Sequence, residues 1–309
     1  MVQIEQIDFT SALGNRYIVQ SVLSQEAPAS FVRKFCGNAS CGSYIAASYV
    51  KFVEGGGARV VPIRISQTRD YYRAVMRQIN GVLLPGGGAD DFDRPGGYGE
   101  AGAHIYEVAK EMNRQGDYFP LWGTCLGMEL LAHVSAGRRE LRADCWASNL
   151  AMPLNLCPDF FRSQLFGAIP DDILTILSSD PVNAHFHHYC VTEKNMTEYG
   201  ILHKWHILAM NHDVEGMEFV SVIESRKYPF YGIIFHPEKN AYEWATERDN
   251  PHSADAIKAM QYFSNFFVNE ARKSNHSFQS RATERNSLIY NYKIRHTGTA
   301  SVFEQVYFL

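Results

Sequence analysis

The sequence lacks several things that would fix its class at once. No run of about 18 uncharged apolar residues occurs, which excludes a membrane-spanning helix. A basic surplus is missing too: 29 Lys and Arg face 33 Asp and Glu, for a net charge of −4, so no nucleic acid partner is expected. Repeats, low-complexity tracts and Pro-rich linkers are absent, which excludes a solenoid or a string of tethered modules. Cysteine is sparse: six residues with no C-x-x-C pair are too few and too scattered for a disulfide scaffold. Cys36 and Cys41 are close enough for a small disulfide loop, and a reduced, inert pair fits equally. The opening MVQIEQIDFTSALGNRYIVQ carries early acids and no apolar core, so it does not read as a signal peptide.

What is present is a core-forming composition, 46% hydrophobic and 20% charged, in which strands and helices alternate. Strands are predicted over residues 17–23, 59–65, 81–84, 118–122 and 231–235. Helices are predicted over 43–53, ending at Gly55-Gly56-Gly57, and over 70–79, 98–114, 126–134 and 254–273. Residues 150–223 are more strand-like, and 287–309 are aromatic and strand-like. Short buried strands between helices point to an α/β fold with a mostly parallel central sheet flanked by helices. The expected organisation is one domain over 16–309, preceded by a poorly ordered extension over 1–15.

The chemistry concentrates in Gly123-Thr124-Cys125-Leu126-Gly127, which lies between a strand and a helix. A nucleophile between two glycines at such a turn sits in a tight elbow that exposes its side chain above the sheet. The following helix start lowers a thiol pKa and offers N–H groups to an oxyanion. Leu126 N–H is the first candidate donor, and the Gly86–Gly87 loop after the 81–84 strand offers a second. Among 12 histidines, His236 is singled out because it directly follows the buried YGIIF strand, at the sheet edge where Cys125 also sits. Extended alternation would aim His236 and Glu238 to one side, letting the carboxylate orient the imidazole. The cluster Ala184-His185-Phe186-His187-His188-Tyr189 is read as pocket histidines rather than a metal site, since only Cys190 stands at a plausible ligand spacing. Gly97-Tyr98-Gly99-Glu100-Ala101-Gly102 matches G-x-G-x-x-G, but a polar loop precedes it instead of a strand, so dinucleotide binding is rejected. Asn38, Asn195 and Asn275 stand in N-x-S/T triplets and are candidate glycosylation sites.

With G-T-C-L-G, the PGGG loop and H-P-E in this order, the chain resembles the class I glutamine amidotransferase-like hydrolases, and within them closely the γ-glutamyl hydrolases. The resemblance is carried by SYIAASYVKFVE (43–54), GARVVPIRI (57–65), INGVLLPGGG (79–88), GDYFPLWGTCLGMELL (116–131), AHFHHY (184–189) and YGIIFHPEKNAYEW (231–244). It implies Cys125 as nucleophile, His236 as base, Glu238 as third member, and Glu129 and His187 as substrate-binding residues. It also implies hydrolysis of folyl poly-γ-glutamates without cofactor or metal, a homodimer, and a lysosomal or extracellular location. Three departures stand out: the altered stretch 33–42, His185 in place of Asn, and Tyr189 in place of Trp. Two other readings remain: a glutaminase that feeds ammonia to a synthetase, and a catalytically dead folate-polyglutamate binder. Against the first, Glu129 stands where amidotransferases carry Gln.

Overall fold

The computed structural model describes residues 18–36, 41–88, 91–298 and 300–309, so the expected 1–15 extension and Asn38 lie outside the described residues. The first half alternates as expected: β1 (Val19–Leu23), β2 (Gln25–Glu26), α1 (Ala29–Phe31), β3 (Ser43–Ala46), α2 (Ala47–Gly55), β4 (Arg59–Ile63), α3 (Arg69–Met76), β5 (Val82–Leu84), α4 (Tyr98–Arg114), β6 (Leu121–Thr124) and α5 (Leu126–Ser135). The second half is richer in strand: β7 (Ala143–Met152), β8 (Asn155–Leu156), α6 (Asp171–Ser179), β9 (Asn183–Cys190), α7 (Glu193–Glu198), β10 (Trp205–His212), β11 (Glu218–Ser225), β12 (Phe230–Ile233), α8 (Pro237–Tyr242), α9 (Ala254–Ala271), α10 (Arg281–Ser287), β13 (Ile294–His296) and β14 (Gln305–Phe308).

The main sheet has eight strands in the order β4-β1-β5-β6-β12-β11-β10-β8. β4, β1, β5, β6 and β12 run parallel, and β11, β10 and β8 extend them antiparallel. β1, β5, β6 and β12 are fully buried, as expected of a sheet covered on both faces. On one face α3, α4 and α5 pack in series, and on the other α2, α8 and α9 do so. Trp122 anchors the second face inside a ring of Phe52, Tyr231, Phe263, Phe266 and Phe267. Strand order reverses around β1, with β4 to one side and β5 to the other. Open α/β sheets leave a crevice at the carboxyl ends of the strands at such a point.

Three expectations need correction. Residues 43–53 are not one helix: Ser43–Ala46 forms β3, because Tyr44, Ile45 and Ala46 pair with Phe308, Tyr307 and Val306 of β14. That partner lies at the far end of the chain, beyond the reach of local periodicity. The strand predicted over 118–122 starts only at Leu121, since Asn113 at the end of α4 holds Phe119 by hydrogen bonds to its N–H and its carbonyl. Finally, four of the six cysteines are paired, as Cys36–Cys41 and Cys145–Cys190. The first bridge closes the small loop that the spacing allowed. The second joins β7 to β9, a two-stranded antiparallel sheet of its own, and no sequence spacing announces it.

A bridge across 45 residues removes more chain entropy from the unfolded state than one across 5. Cys145→Ser with Cys190→Ser is expected to cost about 2–4 kcal/mol in urea unfolding, and Cys36→Ser with Cys41→Ser distinctly less. Equal losses would contradict this account.

Candidate active site

Cys125 occupies the turn between β6 and α5 with φ 51° and ψ −111°, left-handed backbone that a residue with a Cβ adopts only under strain, typically about 1–3 kcal/mol. The neighbouring glycines hold it there. A Cβ on Gly123 would lie 2.5 Å from the Gly127 carbonyl oxygen, and one on Gly127 would overlap the Leu84 carbonyl oxygen of β5. Cys125 N–H donates to the Ile233 carbonyl of β12 at 2.7 Å, which fixes the elbow between two parallel strands. The side chain therefore stands at the carboxyl edge of the sheet, as the G-T-C-L-G pattern implies.

His236 follows β12 on the same edge and is the N-cap of α8, with Pro237 in its first turn. Its Nδ1 is 2.6 Å from Glu238 Oε1. This pair was expected from extended alternation, but it arises otherwise. Proline's fixed φ starts a helix, and the first turn of that helix brings the carboxylate back to the imidazole. With Nδ1–H given to Glu238, Nε2 is the basic nitrogen, and it is buried with no hydrogen-bond partner among the described residues.

Cys125 and His236 line one cleft of about 270 Å³ together with Gly86, Gly87, Gly88, Phe186 and Lys239. Gly86 is what lets them meet: a Cβ there would lie 2.7 Å from His236 Cε1 and 3.0 Å from Cys125 Cβ. The same atom would be 2.7 Å from the Tyr49 hydroxyl, a group that sequence reasoning missed. Tyr49 sits in the predicted helix and carried no motif of its own. Its hydroxyl accepts from Gly86 N–H at 2.8 Å and stands 3.3 Å from His236 Nδ1. Gly86 N–H is thereby engaged. Of the candidate oxyanion donors, Gly87 N–H has no partner among the described residues, and Leu126 N–H faces the Cys125 sulfur.

Burial, reinforced by the Glu129 charge, pushes the Cys125 thiol well above its ordinary range, against the pull of Leu126 N–H and Lys239. Burial also lowers His236, with Glu238 working in the opposite direction. Both shifts run toward the neutral forms, thiol and imidazole, an arrangement suited to proton transfer.

Other expected site residues lie near the cleft without lining it. Glu129 is buried in the first turn of α5 and pairs with Arg142 at 3.3 Å, whose guanidinium rests on the rings of Phe92 and Tyr189. His187 is buried, with Nε2 at 3.1 Å from His185 Nδ1 and Nδ1 at 3.0 Å from the Tyr189 carbonyl. Burial pushes its pKa down to about 3. The residue of this strand that lines the cleft is Phe186. The sulfurs of Cys145 and Cys190 lie 3.5 and 3.4 Å from His187 Nδ1 and are bonded to each other. Gly97 begins α4 after a loop, with no preceding strand. Asn195 donates to the Leu141 carbonyl at 2.6 Å, and Asn275 is exposed.

Comparison with known proteins identifies the family. The peptidase C26 family profile matches residues 30–238. Gamma-glutamyl hydrolase B of Dictyostelium discoideum is 39% identical over 98% of this chain and 86% of its own. Gamma-glutamyl hydrolase of Homo sapiens is 41% identical over 85% of this chain and 82% of its own, and that of Glycine max is 39% identical over 87% and 78%.

Two outcomes follow from the geometry. Gly127→Ala is expected to lose about 3 kcal/mol or more in unfolding, because the added methyl meets backbone that cannot yield, while Gly88→Ala, with open space around it, stays within about 0.5 kcal/mol. Because burial lowers His236, the acid limb of kcat/KM lies below the ordinary imidazole value of 6.5. Glu238 raises that pKa, so Glu238→Gln moves the limb to still lower pH and reduces kcat by about tenfold or more. A limb that moves upward would refute the assignment.

Proposed function

The chain belongs to the peptidase C26 family, and on that premise we propose that it cleaves folyl poly-γ-glutamates through a thioester on Cys125. It is a γ-glutamyl hydrolase, as are the relatives with which it shares 34–42% of residues. The observation that carries the finer reading is the convergence in one cleft of a strained cysteine, an oriented histidine and a loop N–H, with neither His236 Nε2 nor that N–H partnered among the described residues.

In this reading His236 Nε2 takes the Cys125 proton as sulfur attacks the γ-carbonyl. Leu126 N–H and Gly87 N–H hold the resulting oxyanion. His236 then passes the proton to the departing amine, leaving the γ-glutamyl group on sulfur. Water, deprotonated by the same nitrogen, hydrolyses the thioester and restores the thiol. Glu238 keeps the imidazole in the required tautomer, and Tyr49 holds the Gly86 backbone so that the next N–H stays available. A γ-glutamyl bond is a glutamine side-chain amide whose nitrogen carries a further residue. The chemistry is therefore the same as for glutamine with a larger leaving group.

A lysosomal or extracellular setting is part of this proposal. Two disulfides support it, since such bonds persist in oxidising compartments and are rare where thiols are kept reduced.

Pteroyl-penta-γ-glutamate incubated with wild type and with Cys125→Ala, and followed by mass spectrometry, tests the reading. Shortened folates are expected from wild type alone, with rates in the variant reduced by roughly 10⁴-fold or more. Retained turnover in Cys125→Ala would sink it. Comparable turnover of free glutamine would favour the glutaminase reading, and tight binding without products the inactive binder.

A further inference from the structure

Lys239 is only 6% exposed, yet among the described residues no carboxylate lies within ion-pair distance of its ammonium group. Its neighbour in sequence, Glu238, gives its carboxylate to His236 instead. What surrounds the Lys239 Nζ is aromatic: the Phe186 ring at 5.2 Å and the Phe303 ring at 5.0 Å, both lining the cleft that holds Cys125. A second cation shares the first of these rings. The Arg248 guanidinium lies 5.5 Å from the Phe186 centroid, and its Nε is buried without a hydrogen-bond partner. The same ring meets the His236 imidazole edge-on at 5.9 Å, and of the two cations Lys239 lines the cleft itself while Arg248 stands on the ring.

Glu238 and Glu243 act on Lys239 only from beyond ion-pair distance, and ring faces offset only part of the cost of burying a cation. A ligand that brings its own carboxylate removes the penalty. The γ-glutamyl linkage has this property, because it leaves the α-carboxylate of the attacked residue free, a short alkyl spacer from the scissile carbonyl. Further along the chain, each γ-linked residue adds another carboxylate roughly 6 Å on.

We propose that Lys239 and Arg248, gathered on Phe186, form an anion subsite that binds consecutive α-carboxylates of the poly-γ-glutamate chain. Lys239 takes that of the residue attacked by Cys125, and Arg248 takes that of a neighbouring residue. The two are specificity-determining residues, and the inference rests on the γ-glutamyl hydrolase reading above. The subsite separates γ-linked from α-linked glutamate, since in an α-linked chain the α-carboxyl is consumed in the amide.

The test compares wild type on pteroyl-di-γ-glutamate and on the same compound with the α-carboxylate of its first glutamate replaced by a carboxamide. KM is expected to rise roughly 10- to 100-fold on the carboxamide, the size of a lost charge-assisted contact, with a smaller change in kcat. Lys239→Met should show the raised KM on the carboxylate and no discrimination between the two compounds, and Lys239→Arg should restore it. Arg248→Met should lose more on pteroyl-penta-γ-glutamate than on the diglutamate. Equal KM for both compounds with wild type, which needs no variant to fold, overturns the inference while leaving the hydrolase reading intact. Discrimination that persists in Lys239→Met overturns it as well. Absence of cleavage of every γ-glutamyl compound by wild type instead overturns the underlying reading, and the inference with it.

Discussion

The structure depends on one close approach of backbone to backbone, where the start of α5 lies against the ends of β5 and β6. Gly127 fits against the Leu84 carbonyl and Gly123 against Gly127 itself, and neither tolerates a side chain. That packing leaves Cys125 no ordinary backbone conformation, and the residue takes a positive φ as the cost of standing clear of the sheet. The local strain persists because the parallel strands on either side over-determine it, one through Leu84 and the other through the Ile233 carbonyl.

Once the elbow is fixed, the remaining groups follow from the carboxyl edge of the sheet. β5 ends in the glycine loop, β6 leads into Cys125 and β12 towards His236, so three neighbouring parallel strands deliver loop, thiol and imidazole side by side. Missing side chains matter as much here as present ones. Gly86 leaves the space between His236 and Cys125 open, and Tyr49, reaching across from α2, uses its hydroxyl to pin the loop that Gly86 belongs to. Burial then sets the protonation states. It shifts both the thiol and the imidazole toward their neutral forms, and Lys239 contributes a nearby positive charge.

The antiparallel half of the chain supports this edge from outside. β9 accepts the His236 N–H on its Ala184 carbonyl, which couples the β7–β9 pair to the base. The Cys145–Cys190 bridge fastens that pair beneath His187, and burial keeps both His185 and His187 uncharged. If charged, these two histidines would add to the opposition that Lys239 already offers to protonation of the His236 imidazole.

The sequence by itself determined the α/β alternation, the Cys125 elbow and the choice of His236 among the histidines, because each is encoded in a contiguous run. A glycine-flanked cysteine between a buried strand and a helix has few other uses, and a residue directly after a buried strand has a known edge. Glu238 was legible too, although the helix start at Pro237 and not extended alternation brings it to the imidazole. Only the tertiary structure decided the features that need partners distant in the chain. β3 exists because β14 pairs with it, Cys145 finds Cys190 across the β7–β9 pairing, and Tyr49 meets Gly86 and His236 from another element. The gathering of Lys239 and Arg248 on Phe186 is of the same kind. The physical reason is that periodicity and turn chemistry act over a few residues, whereas hydrogen-bond pairing, disulfide geometry and shared aromatic surfaces depend on where the packed core places distant segments.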